Sequence, residues 1–265
     1  MKKNAFLSFW TTFCRYNPKK SSNFAVDMRN IPTVTRYLLI GNFLIYLLDK
    51  FLHLGLVETF GLWSANTPLF HWWQPFTYMF LHDTHSFSHI FFNMFAVWMF
   101  APVIENEWGS RRFAIYYLVC GLGAALVQEL VWIATGIPSV AVGASGAVFG
   151  ILFAFGWLYP DVPMYILFLP IPIRARTFVI IYAAIELFAG LGSILEITPD
   201  RVAHFAHLGG FLFGWLLILY WKKIGWGEPK IFKLWDKIKR LFNRHPRLDS
   251  TKDDQYKDFH YQKRV

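Results

Sequence analysis

Six long apolar runs, separated by short polar or proline-bearing connections, dominate the chain. They cover about residues 33–51, 87–104, 113–133, 142–158, 178–194 and 202–221. Runs of this length match helices that cross a membrane, since roughly 20 apolar residues span a hydrocarbon core of about 30 Å. Asp49 and Lys50 end the first run, Ile137-Pro138-Ser139 marks a turn before the fourth, and Tyr159-Pro160-Asp161 closes it. Residues 52–85 carry Trp63, Trp72 and Trp73 among many polar and turn residues, a pattern suited to the membrane interface rather than to a clean span. Residues 162–176 are proline-rich, and Pro170 and Pro172 argue against a helix there. There is no internal repeat. The pattern predicts an all-α membrane protein in three parts: a basic N-terminal segment, residues 1–32; a six-span bundle, residues 33–222; and a basic tail, residues 223–265.

Composition agrees. Of 265 residues, 55% are hydrophobic and only 16% charged, where a soluble domain carries about a quarter charged residues. The net charge of +9 raises the question of nucleic acid, but the charges lie where topology wants them. With six spans both termini face the same side. Counting along the chain, 24 of the 26 lysines and arginines fall on that side, and only Lys50 and Arg201 fall on the other. Basic residues favour the cytoplasmic face, so both termini are expected there. The basic excess then concerns orientation and anionic lipid, and nucleic acid is not an expected partner.

Met1-Lys2-Lys3 followed by a short apolar stretch only faintly imitates a signal peptide, because Thr11-Thr12 interrupts it and no small-residue cleavage site follows. Cys14 and Cys120 fall in a polar segment and inside an apolar run, so no disulfide is expected. In the tail, Pro229 precedes Ile231, Leu234, Trp235, Ile238, Leu241 and Phe242 at helical spacing, with Lys233, Lys237, Lys239 and Arg240 between them. This predicts an amphipathic helix on the cytoplasmic leaflet.

The candidate chemistry starts at Gly143-Ala144-Ser145-Gly146-Ala147-Val148-Phe149-Gly150, which sets one hydroxyl among very small residues at the head of an apolar run. About sixty residues later, Ala206-His207-Leu208-Gly209-Gly210 and Gly214 set one imidazole on a glycine-lined face. Gly146 and Gly150 on one helix, with Gly210 and Gly214 on the other, form small-xxx-small faces that allow close backbone approach. Both runs enter from the non-cytoplasmic side. A helical rise of 1.5 Å per residue puts Ser145 and His207 at similar depth, roughly 8–9 Å below the surface. Equal depth on parallel helices makes them a candidate nucleophile and base. No acidic residue lies near either in sequence at that depth, so a dyad without an acid is expected. The serine motif is not the Gly-x-Ser-x-Gly elbow of soluble hydrolases, because position 147 is Ala and no strand precedes it. Acyl transfer also needs donors for a developing oxyanion. His89 and Asn93, i and i+4 on the second run, are candidates, although such residues also serve simply to bond loops or other helices.

Together these stretches, with His89-Ile90-Phe91-Phe92-Asn93 and the connection from Glu105 to Arg112 through Gly109-Ser110, resemble the rhomboid family of intramembrane serine proteases over about residues 35–222. The resemblance implies a six-helix bundle with a water-filled cavity open to the outside. It implies Ser145 as nucleophile, His207 as general base and later acid, and His89, Asn93 and the Ser145 N–H as the oxyanion hole. The fifth span and residues 191–200 would act as gate and cap. The substrates it implies are transmembrane segments of other proteins, cut near the non-cytoplasmic face. Three positions depart from the family's pattern. Phe149 stands where many members carry a Tyr stacked on the histidine. Trp73-Gln74 replaces a Trp-Arg pair. The approach to the second span, Asp83 to His85, is about two residues longer than usual.

Rival readings have weaker support. His82, His85 and His89, or His204 and His207, lack a His-Glu-x-x-His pattern and any carboxylate at ligand spacing, so neither metal nor other cofactor is expected. The strongest alternative is a catalytically silent rhomboid-like protein that binds membrane-protein clients, but both Ser145 and His207 are present. Phenylalanine-rich spans with basic ends fit a bacterial inner membrane.

Overall fold

The computed structural model describes residues 31–137, 139–165, 172–195 and 202–225. The expected N-terminal segment up to residue 30 and the amphipathic helix of the tail lie outside these residues, as does half of the expected cap, residues 196–200. The protein is mostly helical. Its first compact unit ends at Tyr220, and the second begins at Trp221 within the last helix.

The long helices are α1 (Thr33–Leu52), α4 (Phe87–Trp108), α5 (Ser110–Thr135), α6 (Ser145–Leu158), α7 (Ala175–Ile194) and α8 (His204–Lys223), with short α2 (Leu56–Phe60) and α3 (Gln74–Thr77) between α1 and α4. All six sit on the predicted runs. Four of them, α4, α5, α7 and α8, are long and apolar enough to cross a membrane by length and composition. The fifth apolar helix, α6, has 14 residues and at 1.5 Å per residue is only about 21 Å long. It packs centrally, against α4, α5 and α7, and ten of its residues are buried. A helix so largely buried needs no polar face, which explains why its sequence is apolar almost throughout.

Polar residues tie these apolar elements together at their ends. Glu105, in the last turn of α4, is buried. Its carboxylate accepts hydrogen bonds from the backbone N–H groups of Val34 and Thr35 at 2.9 and 2.8 Å, and from the Thr35 and Ser110 hydroxyls. It therefore satisfies N–H groups at the start of α1 that the helix itself cannot, while Gly109, at φ 80°, turns the chain from α4 into α5 in a single residue.

The tryptophan-rich segment is organised by Gln74, which is fully buried. Its Oε1 accepts from the N–H groups of Trp63 and His71, and its Nε2 donates to the carbonyls of Thr59 and Leu69. Where the family pattern has a charged Arg, this amide closes the loop on itself without a charge. The same segment supplies a two-residue strand, β1 (Leu62–Trp63), that pairs antiparallel with β2 (Val140–Ala141). Among the described residues of the proline-rich connection after α6, β3 (Pro163–Tyr165) and β4 (Pro172–Arg174) pair antiparallel, and α7 begins at Ala175, just inside the range predicted to be non-helical; residues 166–171 lie outside the described residues.

Candidate active site

The strand β2 changes how the serine is delivered. The sequence placed Ser145 five residues into a helix entered near Val140. Instead residues 140–141 are extended and held by β1, and α6 begins at Ser145 itself. The turn between them is made by Gly143, whose φ of 127° is a conformation that side chains other than glycine rarely adopt. Its N–H donates to the Tyr78 carbonyl at 3.0 Å. Likewise α8 begins at His204, so His207 lies in its first turn rather than six residues inside. Each of the two residues thus sits at the start of its helix rather than several residues inside it.

The two side chains meet. His207 Nε2 lies 2.9 Å from Ser145 Oγ. Gly146 and Gly210 make this possible. A Cβ on Gly210 would collide with the Gly146 carbonyl oxygen, and one on Gly150 would lie 3.3 Å from the Gly210 carbonyl oxygen. Gly210 thus faces α6 as expected, whereas a Cβ on Gly146 or Gly150 would first meet Ala124 or Cys120 of α5. Gly214 also faces α5, at the Tyr116 hydroxyl. Tyr116 in turn donates from that hydroxyl to the Gly150 carbonyl at 2.8 Å. Phe149 stacks on the His207 ring with centroids 4.1 Å apart and an interplanar angle of 4°, so the ring holds the imidazole without a hydroxyl. The Ala206 N–H donates to Gln128 Oε1 of α5, pinning the first turn of α8.

The expectation of a pair without an acid is corrected. Glu186 of α7 is buried, and its Oε2 lies 2.8 Å from His207 Nδ1 and 2.7 Å from His204 Nδ1. Sequence distance from Ser145 and His207 does not reveal it, because Glu186 lies on another helix. One signal was available: Glu186 is the single carboxylate in an otherwise apolar run, and an ionisable residue inside a membrane span points to function by default. The ligand atoms of Glu186, His204 and His207 lie within 4.8 Å of one another, a grouping that could hold a metal ion. Both imidazoles lie within hydrogen-bond distance of the same Oε2.

His89 approaches from α4. A Cβ on Gly143 would meet His89 Nε2 at 2.8 Å and Ser145 Oγ at 3.7 Å, so the imidazole faces the serine turn across the glycine. Its Nδ1 accepts from the Asp83 N–H at 3.3 Å. In the neutral ring that leaves the proton on Nε2, the nitrogen aimed at the site. The loop before α4 thus provides the contact that orients His89: Asp83 gives its N–H, and its carboxylate accepts from the His85 N–H at 2.8 Å. His82 is buried with its ring 5.2 Å from that of His89. Asn93 lies one turn below, where its Nδ2 donates to the His89 carbonyl at 2.9 Å. The Ser145 N–H, in the first turn of α6, belongs to the group that has no partner within its own helix.

The chain has relatives among known proteins. The family model described as the Rhomboid domain matches residues 69–223. The chain is 33% identical over 186 residues to Rhomboid-like protein 11, chloroplastic, of Arabidopsis thaliana, covering 69% of this chain and 63% of that protein. It is 31% identical over 155 residues to the Presenilin-associated rhomboid-like protein, mitochondrial, of Rattus norvegicus, covering 58% of this chain and 40% of that one. The match thus spans well under two thirds of the mitochondrial relative's length. More than half of the chain fits the family model, and the apolar helices it contains are those of an integral membrane protein. The chain belongs to the rhomboid family, which includes intramembrane serine proteases.

Proposed function

We propose that this protein is an intramembrane serine endopeptidase that cuts transmembrane segments of other membrane proteins near the non-cytoplasmic face. The observation that carries this reading is the 2.9 Å contact between Ser145 Oγ and His207 Nε2 at the starts of two apolar helices. A serine hydroxyl hydrogen-bonded to an imidazole is an activated nucleophile, and an apolar bundle around it selects substrates that arrive through lipid.

In this reading α1, α4, α5, α6, α7 and α8 all span, with both termini cytoplasmic, as the distribution of lysine and arginine supports. The short α6 fits a helix that starts below the outer surface, so Ser145 meets its substrate inside the leaflet. Cytoplasmic basic residues rest on anionic lipid, and the membrane is of bacterial inner type.

Catalysis proceeds by acyl transfer. Ser145 Oγ attacks the scissile carbonyl carbon while His207 Nε2 takes the hydroxyl proton. The resulting oxyanion is met by the Ser145 N–H, His89 Nε2–H and the Asn93 amide. Collapse breaks the C–N bond, and His207 returns the proton to the leaving amine. Water, deprotonated by the same imidazole, then attacks the ester carbonyl and frees Ser145 with the acid product.

The test is cleavage of a reporter whose transmembrane segment contains a helix-destabilising glycine, with both partners reconstituted in liposomes. Wild type is expected to cut it, and Ser145→Ala and His207→Ala are expected to be inactive while remaining folded. Cleavage by folded Ser145→Ala would overturn the reading.

A further inference from the structure

We propose that Glu186 is a positioning residue that turns the Ser145–His207 pair into an acid-assisted triad, and that it does so by fixing the tautomer of His207. The inference rests on the protease reading above and extends it. A carboxylate only accepts hydrogen bonds. With Oε2 at 2.8 Å from His207 Nδ1, that nitrogen carries the proton, so Nε2 presents its lone pair to Ser145 Oγ at 2.9 Å. This is the tautomer a general base requires. When Nε2 takes the serine proton, the imidazolium forms beside a carboxylate already in place to stabilise it.

His204 completes the device. Its Nδ1, 2.7 Å from the same Oε2, holds the carboxylate from the first residue of α8, three positions before His207. One oxygen thus receives two imidazoles, and neither histidine can turn without disturbing the other. Phe149 limits rotation about the remaining direction, because its ring lies flat against that of His207.

The placement also has a mechanical consequence. Ser145 and His207 ride on α6 and α8, but Glu186 rides on α7, whose other side chains Ile180, Ile181, Ile185, Leu187 and Phe188 are exposed. Glu186 is a polar anchor on a helix with few buried residues. If α7 moves outward, His207 loses its Nδ1 acceptor. The base is therefore oriented only while α7 is seated.

The test compares wild type, Glu186→Gln and Ser145→Ala by steady-state cleavage and by the ring ¹⁵N resonances of histidine-labelled protein. Gln keeps the shape but its amide can offer N–H to Nδ1, favouring the wrong tautomer. Glu186→Gln is expected to lose kcat by about 10²–10⁴-fold, with KM little changed. Wild-type His207 is expected to show a protonated Nδ1 and an unprotonated Nε2, and the variant is expected to lose that signature. Wild-type kcat in Glu186→Gln would overturn the inference, as would a wild-type His207 protonated at Nε2. If Glu186→Gln does not fold, the wild-type resonances decide alone. Residual cleavage by Ser145→Ala would instead sink the protease reading, so the two failures are distinguishable.

Discussion

Replacing Gly143 by Ala tests the serine turn at its tightest point. Two costs can be read from the structure. First, φ at 127° lies in a region essentially reserved for glycine, where another residue costs of order 1–3 kcal/mol. Second, the new methyl would sit 2.8 Å from His89 Nε2 and 3.0 Å from His89 Cε1. Ordinary carbon contacts begin some half an ångström further out, so either the ring or the turn must shift. His89 is held from behind by the Asp83 N–H, which restricts its retreat. Displacing one oxyanion donor costs about 10²–10³ in kcat, whereas lost stability alone would lower the amount of folded enzyme but not the kcat of what remains. The assay is kcat per folded molecule, with active sites titrated by a fluorophosphonate, alongside thermal unfolding in detergent. The expected result is a lower transition temperature together with a kcat loss of about 10²-fold or more. A Gly143→Ala enzyme with wild-type kcat would refute the role given to His89 and to this turn.

Other perturbations separate site from scaffold. Phe149→Ala removes the ring stacked on His207 and is expected to lower both stability, by about 3–5 kcal/mol for a buried Phe, and kcat; Phe149→Tyr should retain activity, as cleavage kinetics of the purified variants would show. Glu105→Ala strips the acceptor from the Val34 and Thr35 N–H groups and is expected to cost about 1–3 kcal/mol in thermal unfolding with unchanged kcat per active site. His82 is buried beside His89, and desolvation pushes its pKa from 6.5 down to about 3. The fold therefore favours neutral His82. Its contribution is fully present above the unfolded value of 6.5 and is lost as pH falls from there toward 3, with a slope of at most about 1.4 kcal/mol per pH unit. Unfolding midpoints measured from pH 7 to pH 4 should fall less steeply in His82→Phe than in wild type.

Much of this site could be read from the chain because its main requirements are local. Gly143, Gly146, Gly150 and Gly210 each report a close approach, and helix starts announce themselves where apolar runs meet small or turn residues. The six helices fall within a few residues of the predicted runs for the same reason. What escaped depends on partners distant in sequence. The pairing of Leu62–Trp63 with Val140–Ala141 involves strands of two residues, too short to show any alternation. Without that pairing, Val142 to Leu158 reads as one continuous helix. Glu186 stood out chemically, but its meeting with His207 depends on how α7 packs beside α8, which no spacing along the chain encodes. Asp83 carries no signal in the sequence, and only the folded loop shows its N–H against His89.

The central claim is that Ser145 is a nucleophile activated by His207. The most direct measurement is fluorophosphonate labelling of the purified protein in detergent, with the adduct located by peptide mass spectrometry in wild type, Ser145→Ala and His207→Ala. The account predicts an adduct on Ser145 in wild type and none in either variant. Folded wild type that takes no label, or an adduct on Ser145 undiminished in His207→Ala, would contradict it.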